Sequence, residues 1–354
     1  MSAIFSNLNY LFTFRSIIRN NTLNVSLNKG ELNMKVLVTG AAGFIGSHLS
    51  EALSEMGHKV IGIDNFDPYY APELKRLNAE EITAKGVQIF EADLVTDDLS
   101  DIVSDVEFVY HLAAQPGIFA TTTYDQYVRN NLTATHNLLE AVRNLSNLKC
   151  FVNVATSSIY GKFACDAEDV APKPTSYYGV TKLAAEQLVL AYHREQGFPA
   201  CSLRIFSVLG PRERPEKLYT KLIRSILMDE AFPLFEDSLN HLRSYTPISD
   251  IIAGFKLVFN QPKKVIGEIF NIGSDKEITT KDGIAIVEKI MGKKARFDIK
   301  PKRPGDQIHT QANISKARRI LGYEPRTSLE EILRKQITWY KEKIFSQGLH
   351  KLTQ

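Results

Sequence analysis

Residues 35–46 read Lys35-Val-Leu-Val-Thr39 followed by Gly40-Ala-Ala-Gly43-Phe-Ile-Gly46, and this stretch decides the fold. A short apolar run halted by glycine predicts a buried strand. Apolar residues at Phe44, Ile45, Leu49, Ala52, Leu53 and Met56 recur with helical period up to Gly57, predicting a helix from Phe44 to Met56. A strand, a glycine-rich turn and a helix form a phosphate cradle. The glycines let the backbone approach a pyrophosphate, and the first-turn N–H groups, those of Phe44 and Ile45 among them, carry a partial positive charge. The spacing is G-x-x-G-x-x-G rather than G-x-G-x-x-G. Asp64 strengthens the reading. It ends the next strand, Lys59–Asp64, 18 residues after Gly46, where a carboxylate binds a ribose 2′-hydroxyl and rejects a 2′-phosphate. Asn65 beside it offers no compensating positive charge. The cofactor expected is therefore NAD.

Working outward, further strands are predicted at Gly86–Phe90, Val106–Ala113, Lys149–Ala155 and Ala200–Phe206, with helical patterns near 125–145 and 177–196. Strands alternating with helices predict an α/β fold, a Rossmann-type doubly wound parallel sheet with right-handed crossovers. Beyond Phe206, Pro211, Pro215, Pro233, Pro247, Pro262, Pro301 and Pro304 punctuate shorter elements, which predicts a smaller mixed lobe. The expected domains are an NAD-binding part over 34–206 and a substrate lobe over 207–345, with some interleaving of the chain. Residues 1–33 carry Arg15, Arg19 and Lys29 against the single acid Glu31. They read as a loose leader or upstream start, with a transit peptide as the alternative.

Composition excludes other classes. Forty-three lysines and arginines against 40 acids leave a net charge of +3 over 354 residues, no general field for nucleic acid or a membrane surface. No apolar run approaches the ~18 residues a membrane-spanning helix needs. Cys150, Cys165 and Cys201 show no C-x-x-C spacing, so no zinc site or disulfide framework is expected, and a reducing, cytoplasmic setting is.

Tyr178 and Lys182 stand at i, i+4 at the start of a helix and share one face. A free tyrosine, with a pKa of about 10, is a poor base near neutrality, and a lysine one turn away favours the phenolate. Thr156 follows the strand ending at Ala155 and has a hydroxyl to share with a substrate hydroxyl and Tyr178. Asp93 and Leu94 follow a strand and are candidates to meet an adenine. Ala113, in His111-Leu-Ala-Ala114, lets the backbone pass close to a cofactor. His111 is read as packed, without chemistry.

With the strings VLVTGAAGFIGSHL, VIGIDNF, VYHLAAQPG, TSSIYG, YYGVTKLAAEQL and LRIFSVLGPRERP, the chain resembles the extended short-chain dehydrogenase/reductases, and within them the nucleotide-sugar epimerases. The resemblance runs from Met34 to about Tyr340. It implies a catalytic set of Tyr178, Lys182 and Thr156, an NAD turn of Gly40, Gly43 and Gly46, and the ribose acid Asp64. It also implies a UDP-sugar substrate, with Arg243 and Arg303 on phosphate or uridine and Asp306 on the ribose. Dehydratases of the family carry Asp-Glu where Ser157-Ser158 stand, and decarboxylases carry Glu at the Ser158 position. Two serines supply no carboxyl group, so oxidation and re-reduction at carbon 4 is expected. The alternatives are a 4,6-dehydratase, decarboxylase or 4-reductase, or, in another class, a non-catalytic NAD-binding sensor or scaffold.

The string Gly210-Pro-Arg212-Glu-Arg214-Pro resembles UDP-glucuronate 4-epimerases, which implies that Thr156, Ser157, Ser158, Ser207 and Arg214 face a sugar carboxylate. Phe119, where that subgroup has arginine, favours UDP-glucose or UDP-GlcNAc instead. The resemblance also implies a homodimer. Leu138, Leu139, Val142 and Leu145 on one helix, with Leu183, Leu188, Val189 and Tyr192 on another, are the expected contact.

Overall fold

The computed structural model describes residues 33–117, 121–302 and 307–353. The expectations attached to residues 1–32 and to Phe119, Arg303 and Asp306 fall outside them.

In chain order the strands are β1 (Lys35–Thr39), β2 (Lys59–Asp64), β3 (Gln88–Glu91), β4 (Phe108–His111), β5 (Cys150–Thr156), β6 (Phe163–Ala164), β7 (Ala200–Ile205) and β8 (Val208–Leu209). They continue as β9 (Ala231–Phe235), β10 (Leu242–Arg243), β11 (Thr246–Pro247), β12 (Ile269–Ile272), β13 (Ile278–Thr279), β14 (Arg296–Lys300) and β15 (His309–Thr310). Seven of them form one sheet in the order β12-β7-β5-β4-β1-β2-β3, and every pair in it is parallel. Parallel strands covered on both faces read as continuous apolar runs, which is how β1 and β2 appear in the sequence. Alternate side chains of β1 serve opposite faces: Val36 and Val38 join one core and Leu37 the other.

From β1 the chain winds outward through β2 and β3, then returns to the other side of β1 as β4. Winding therefore reverses between β1 and β4. Ligands of open α/β sheets bind at the carboxyl ends of the strands flanking such a reversal. Gly40 follows β1 and Leu112 follows β4, at that edge.

The stretch after Phe206 is mixed, as expected. Its β13, β10 and β15 form a four-stranded sheet with β6 from the earlier part of the chain, while β11-β8 and β14-β9 are two-stranded. One of its strands, β12, joins the main sheet beside β7.

Two expectations are corrected. The helix expected near 125–145 is not uniform. An α-helical turn, Tyr124–Tyr127, leads into a π-helical segment, Val128–Thr133, before the α-helix Ala134–Val142. Within the π segment buried Asn131 accepts from the Gln115 N–H at 2.7 Å and donates to Thr181 Oγ1 at 3.0 Å. The wider turn aims an amide at both, which periodicity alone does not reveal. The apolar surplus offered for a dimer face is also smaller than expected. Leu138, Leu139, Val142 and Val189 are all buried in the core that Leu37, Val109 and Phe151 form on the sheet. Leu145, Leu183, Leu188 and Tyr192 remain partly exposed.

Candidate active site

A cavity of about 940 Å³ runs along the carboxyl ends of the sheet and into the mixed lobe. Every predicted site residue that is described lines it: Gly40, Gly43, Phe44, Ile45, Gly46, Asp64, Asn65, Asp93, Leu94, Ala113, Thr156, Ser157, Ser158, Tyr178, Lys182, Ser207, Arg214 and Arg243.

The turn after β1 is built for close approach. Gly40 has φ +69°, and a Cβ there would stand 2.9 Å from the Ala113 backbone nitrogen. A Cβ on Gly46 would stand 2.1 Å from the Gly40 carbonyl oxygen, so helix and turn meet backbone to backbone. At Gly43 the Gly40 oxygen, at 3.1 Å, is the single atom a Cβ would meet within 4 Å, so this glycine leaves space at the cavity. No side chain caps the helix that starts at Phe44, so its first turn is an anion site. Asp64 holds the turn from the next strand: Oδ2 accepts from the Ala42 N–H at 3.0 Å and Oδ1 from the Phe66 N–H at 2.9 Å. A carboxylate has about four acceptor positions, so capacity remains for ribose hydroxyls. These residues fit a dinucleotide.

Asp93 turns out to cap its loop. It accepts from Asn65 at 3.0 Å, from Arg129 at 3.1 Å and from the Val95 N–H at 2.8 Å. Leu94 forms the apolar wall beside it. His111 is sealed between Thr39 (2.8 Å to Nδ1) and Thr135 (2.9 Å to Nε2). Burial, and to a lesser degree the Lys182 charge, push its pKa down to about 3, which keeps it neutral.

Thr156 ends β5, and its Oγ1 accepts from the Ser158 N–H at 3.2 Å, starting the 3₁₀ turn Ser157–Tyr160. The long helix Tyr177–Gln196 is capped by Ser176, which accepts from the Gly179 N–H at 3.1 Å. A Cβ on Gly179 would lie 2.7 Å from the Ser158 carbonyl oxygen. Glycine next to Tyr178 therefore lets this helix lie directly on the 3₁₀ turn, and Tyr178 opens onto the same cavity as Thr156, whose hydroxyl favours the phenolate.

The electrostatics differ from expectation. Burial raises the pKa of Tyr178, while the Thr156 hydrogen bond and then the Arg214 charge pull it down. The foremost cation acting on the phenol is Arg214, not Lys182. Lys182 is itself buried, which lowers its pKa to about 8 against the upward pull of Glu186. It remains mostly protonated at neutral pH.

Arg214 enters the cavity paired with Glu216 at 2.8 Å, its guanidinium 5.6 Å from the centre of the Tyr69 ring. The Tyr69 hydroxyl donates to Glu216 at 3.4 Å. Gly117 lies against this cluster, a Cβ position there being 3.7 Å from an Arg214 nitrogen, and its φ of +73° is what calls for glycine. Arg212, two residues earlier, points away and forms ion pairs with Glu51 at 2.9 Å and Glu81 at 2.7 Å. Between them Glu213 accepts from Gln336 at 2.7 Å and Thr220 at 3.1 Å, and burial raises its pKa to about 7. Tyr69, Glu213 and Glu216 were not singled out in the sequence. Glu213 stands beside Arg214 in the quoted string and Glu216 directly follows that string, so both were legible there; nothing periodic or spaced marks Tyr69.

Among the described residues no group of three or more His, Cys, Asp or Glu could hold a metal ion, and no helix is long and apolar enough to cross a membrane.

The model of the NAD dependent epimerase/dehydratase family matches residues 36–273. An uncharacterised UDP-glucose epimerase of Bacillus subtilis is 38% identical over 311 residues, 86% of this chain and 98% of its own. UDP-glucuronate 4-epimerase 4 of Arabidopsis thaliana is 36% identical, over 90% of this chain and 77% of its own. Among solved structures, UDP-glucuronic acid 4-epimerase from Bacillus cereus in complex with UDP-glucuronic acid and NAD superposes with a TM-score of 0.83 at 39% identity. That match covers 87% of this chain and 99% of the other.

Proposed function

The chain belongs to the NAD-dependent epimerase/dehydratase family, and from that premise we propose that it inverts carbon 4 of a UDP-sugar, with UDP-glucuronate the favoured substrate. The observation that carries this is one cavity onto which the glycine turn, Thr156, Tyr178 and Arg214 all open. Gly40, Gly43, Gly46, Asp64 and Lys182 would hold NAD. When bound, NAD supplies a reversible acceptor for the carbon-4 hydride and a cationic ring.

Thr156 orients the carbon-4 hydroxyl toward Tyr178. As the carbon–hydrogen bond breaks, Tyr178 takes the hydroxyl proton, leaving a 4-keto sugar. After the sugar turns its other face to the cofactor, the same phenol returns the proton and the inverted alcohol forms. Proton and hydride both go back to the sugar, so no external oxidant is consumed. Ser157 and Ser158 leave elimination without a second acid and base. Residues 207–345 act as the nucleotide-sugar lobe in this reading, with Arg243 at the nucleotide end.

The hydroxyls of Thr156, Ser157, Ser158 and Ser207 with the Arg214 guanidinium suit a uronate, because hydrogen bonds satisfy a carboxylate without leaving an unpaired buried charge. A specific observation favours a neutral hexose instead: Glu216 already pairs with Arg214 and takes up part of its charge. Side-by-side kcat/KM for UDP-glucuronate, UDP-glucose and UDP-N-acetylglucosamine decides between them. The uronate reading expects Arg214→Ala to cut UDP-glucuronate turnover about 10- to 100-fold more than UDP-glucose turnover, the ~1.5–3 kcal/mol of a charge-assisted hydrogen bond, since loss of its charge beside Tyr178 weighs on both substrates alike. A wild-type preference for a neutral hexose, unchanged by Arg214→Ala, rejects it.

A homodimer is part of this proposal, through the partly exposed Leu145, Leu183, Leu188 and Tyr192; a monomeric mass in light scattering at micromolar concentration ends it. The three free thiols suit a reducing cytoplasm.

A further inference from the structure

Arg204 is one of the largest fully buried side chains described, 1% exposed, and no step above uses it. Its Nε and Nη2 donate to the two carboxylate oxygens of Glu186 at 3.0 and 2.7 Å. Nη1 donates to the Tyr160 hydroxyl at 2.8 Å and to the Glu168 carbonyl at 3.3 Å. The guanidinium carbon also stands 4.9 Å from the centre of the Tyr160 ring. The Tyr160 hydroxyl in turn donates to Asn271 Oδ1 on β12 at 2.8 Å.

The chain positions of these partners matter. Tyr160 closes the 3₁₀ turn that starts at Thr156. Glu186 lies one helical turn beyond Lys182, on the helix that also carries Tyr178. Arg204 precedes Ser207 on β7 by three residues. One planar fork therefore holds the segment bearing the threonine against the helix bearing the tyrosine and lysine.

We infer that Arg204, with Glu186 and Tyr160, is a positioning residue that fixes Thr156 relative to Tyr178 and Lys182. Stability alone is a poor reason for such a group: exchanging a buried ion pair for well-packed apolar residues is often neutral or stabilising. Geometry is a better one, because the guanidinium cannot bend out of its plane and its side-chain partners Glu186 and Tyr160 are both buried. Glu186 has a second role. It is 0% exposed and stands one turn from Lys182, so its charge supports the ammonium against burial. The other titratable groups facing Lys182 are Tyr178, one turn earlier on the same helix, and neutral His111 of β4.

This inference rests on the epimerase reading, and two substitutions test it separately from that reading. Tyr160→Phe removes one hydroxyl and leaves the ion pair intact. It is expected to lower kcat about 10-fold through misplacement of Thr156, with KM and the alkaline limb of the pH profile unchanged. Glu186→Gln is expected to move the alkaline limb of kcat downward by about one pH unit. The Lys182 pKa, read by ¹³C-lysine NMR with the signal assigned by its loss in Lys182→Met, is expected to move with it. If both variants melt lower yet keep wild-type kcat, limb and Lys182 titration, Arg204 serves the core only and the inference is overturned. If Glu186→Gln does not fold, Tyr160→Phe decides: wild-type kcat overturns the inference and a fall with unchanged KM upholds it. Wild-type protein inactive on every UDP-sugar defeats the epimerase reading instead, and the Lys182 titration still tests the Glu186 support.

Discussion

At the glycine turn, main-chain atoms and missing side chains form the cavity wall; 36 residues beyond Tyr178, at Arg214, long charged side chains form it. The two ends obey different physics. At Gly46 nothing gives way, because the nearest atoms to an added Cβ belong to the Gly40 and Ala41 backbone. Around Arg214 the wall consists of rotatable groups, Tyr69, Glu216 and the guanidinium itself, whose charges neutralise one another in the absence of a ligand. A rigid end suits an unchanging cofactor. An end made of side chains suits a choice among substrates, since an exchange there need not move the main chain.

The sharpest way to break this contrast lies where the two ends meet. Tyr178→Phe removes only the hydroxyl, so turnover is expected to fall ~10²–10⁴-fold while NAD and UDP-sugar affinity, by calorimetry, hold near wild type. Comparable rates for the two proteins would remove Tyr178 from the chemistry. At the rigid end Gly46→Ala is expected to cost about 3 kcal/mol and to abolish NAD binding, because the methyl cannot rotate away from the Gly40 carbonyl. Thermal melting with and without NAD reads both effects, and a wild-type NAD-induced rise in Tm would show that the turn yields after all. The smallest effect belongs to the charged end. Glu213 keeps its proton up to about pH 7 in the fold, against an ordinary value of 4.5. Its contribution to stability is thus complete below about pH 4.5 and is lost as pH rises through 7. Wild-type Tm is expected to decline from pH 5 to pH 8 relative to Glu213→Gln, by a few degrees, at about 2–4 °C per kcal/mol. Parallel Tm curves would place Glu213 outside the titration.

The same contrast governs what was legible in the sequence. β1, β2 and the helix Tyr177–Gln196 were predictable nearly to the residue, because glycine, burial and periodicity are local signals. Tyr178, Lys182 and Thr156 were legible because each sits at the end of such an element. Tyr69 was not: it lies on a loop after β2, and only tertiary folding brings it to Arg214 across 145 residues of chain. The cationic influence on Tyr178 was misread for the same reason, since a neighbour at i+4 is visible in a sequence and one 36 residues away is not. The π-helical segment at Val128–Thr133 escaped because its apolar spacing resembles that of an ordinary helix.

The segment Gly210–Pro215 sends three consecutive side chains to three destinations. Arg212 adopts φ +66° to reach Glu51 and Glu81 on the first two sheet-flanking helices, Glu213 meets Gln336 near the carboxyl end of the chain, and Arg214 enters the cavity. For laboratory evolution this makes the segment a poor place to insert, delete or recombine. A frame moved by one residue would strand an arginine, bury a charge and take Arg214 out of the cavity together. Single exchanges at position 214 escape that coupling, so new substrates should be sought by saturating that position rather than by grafting the loop.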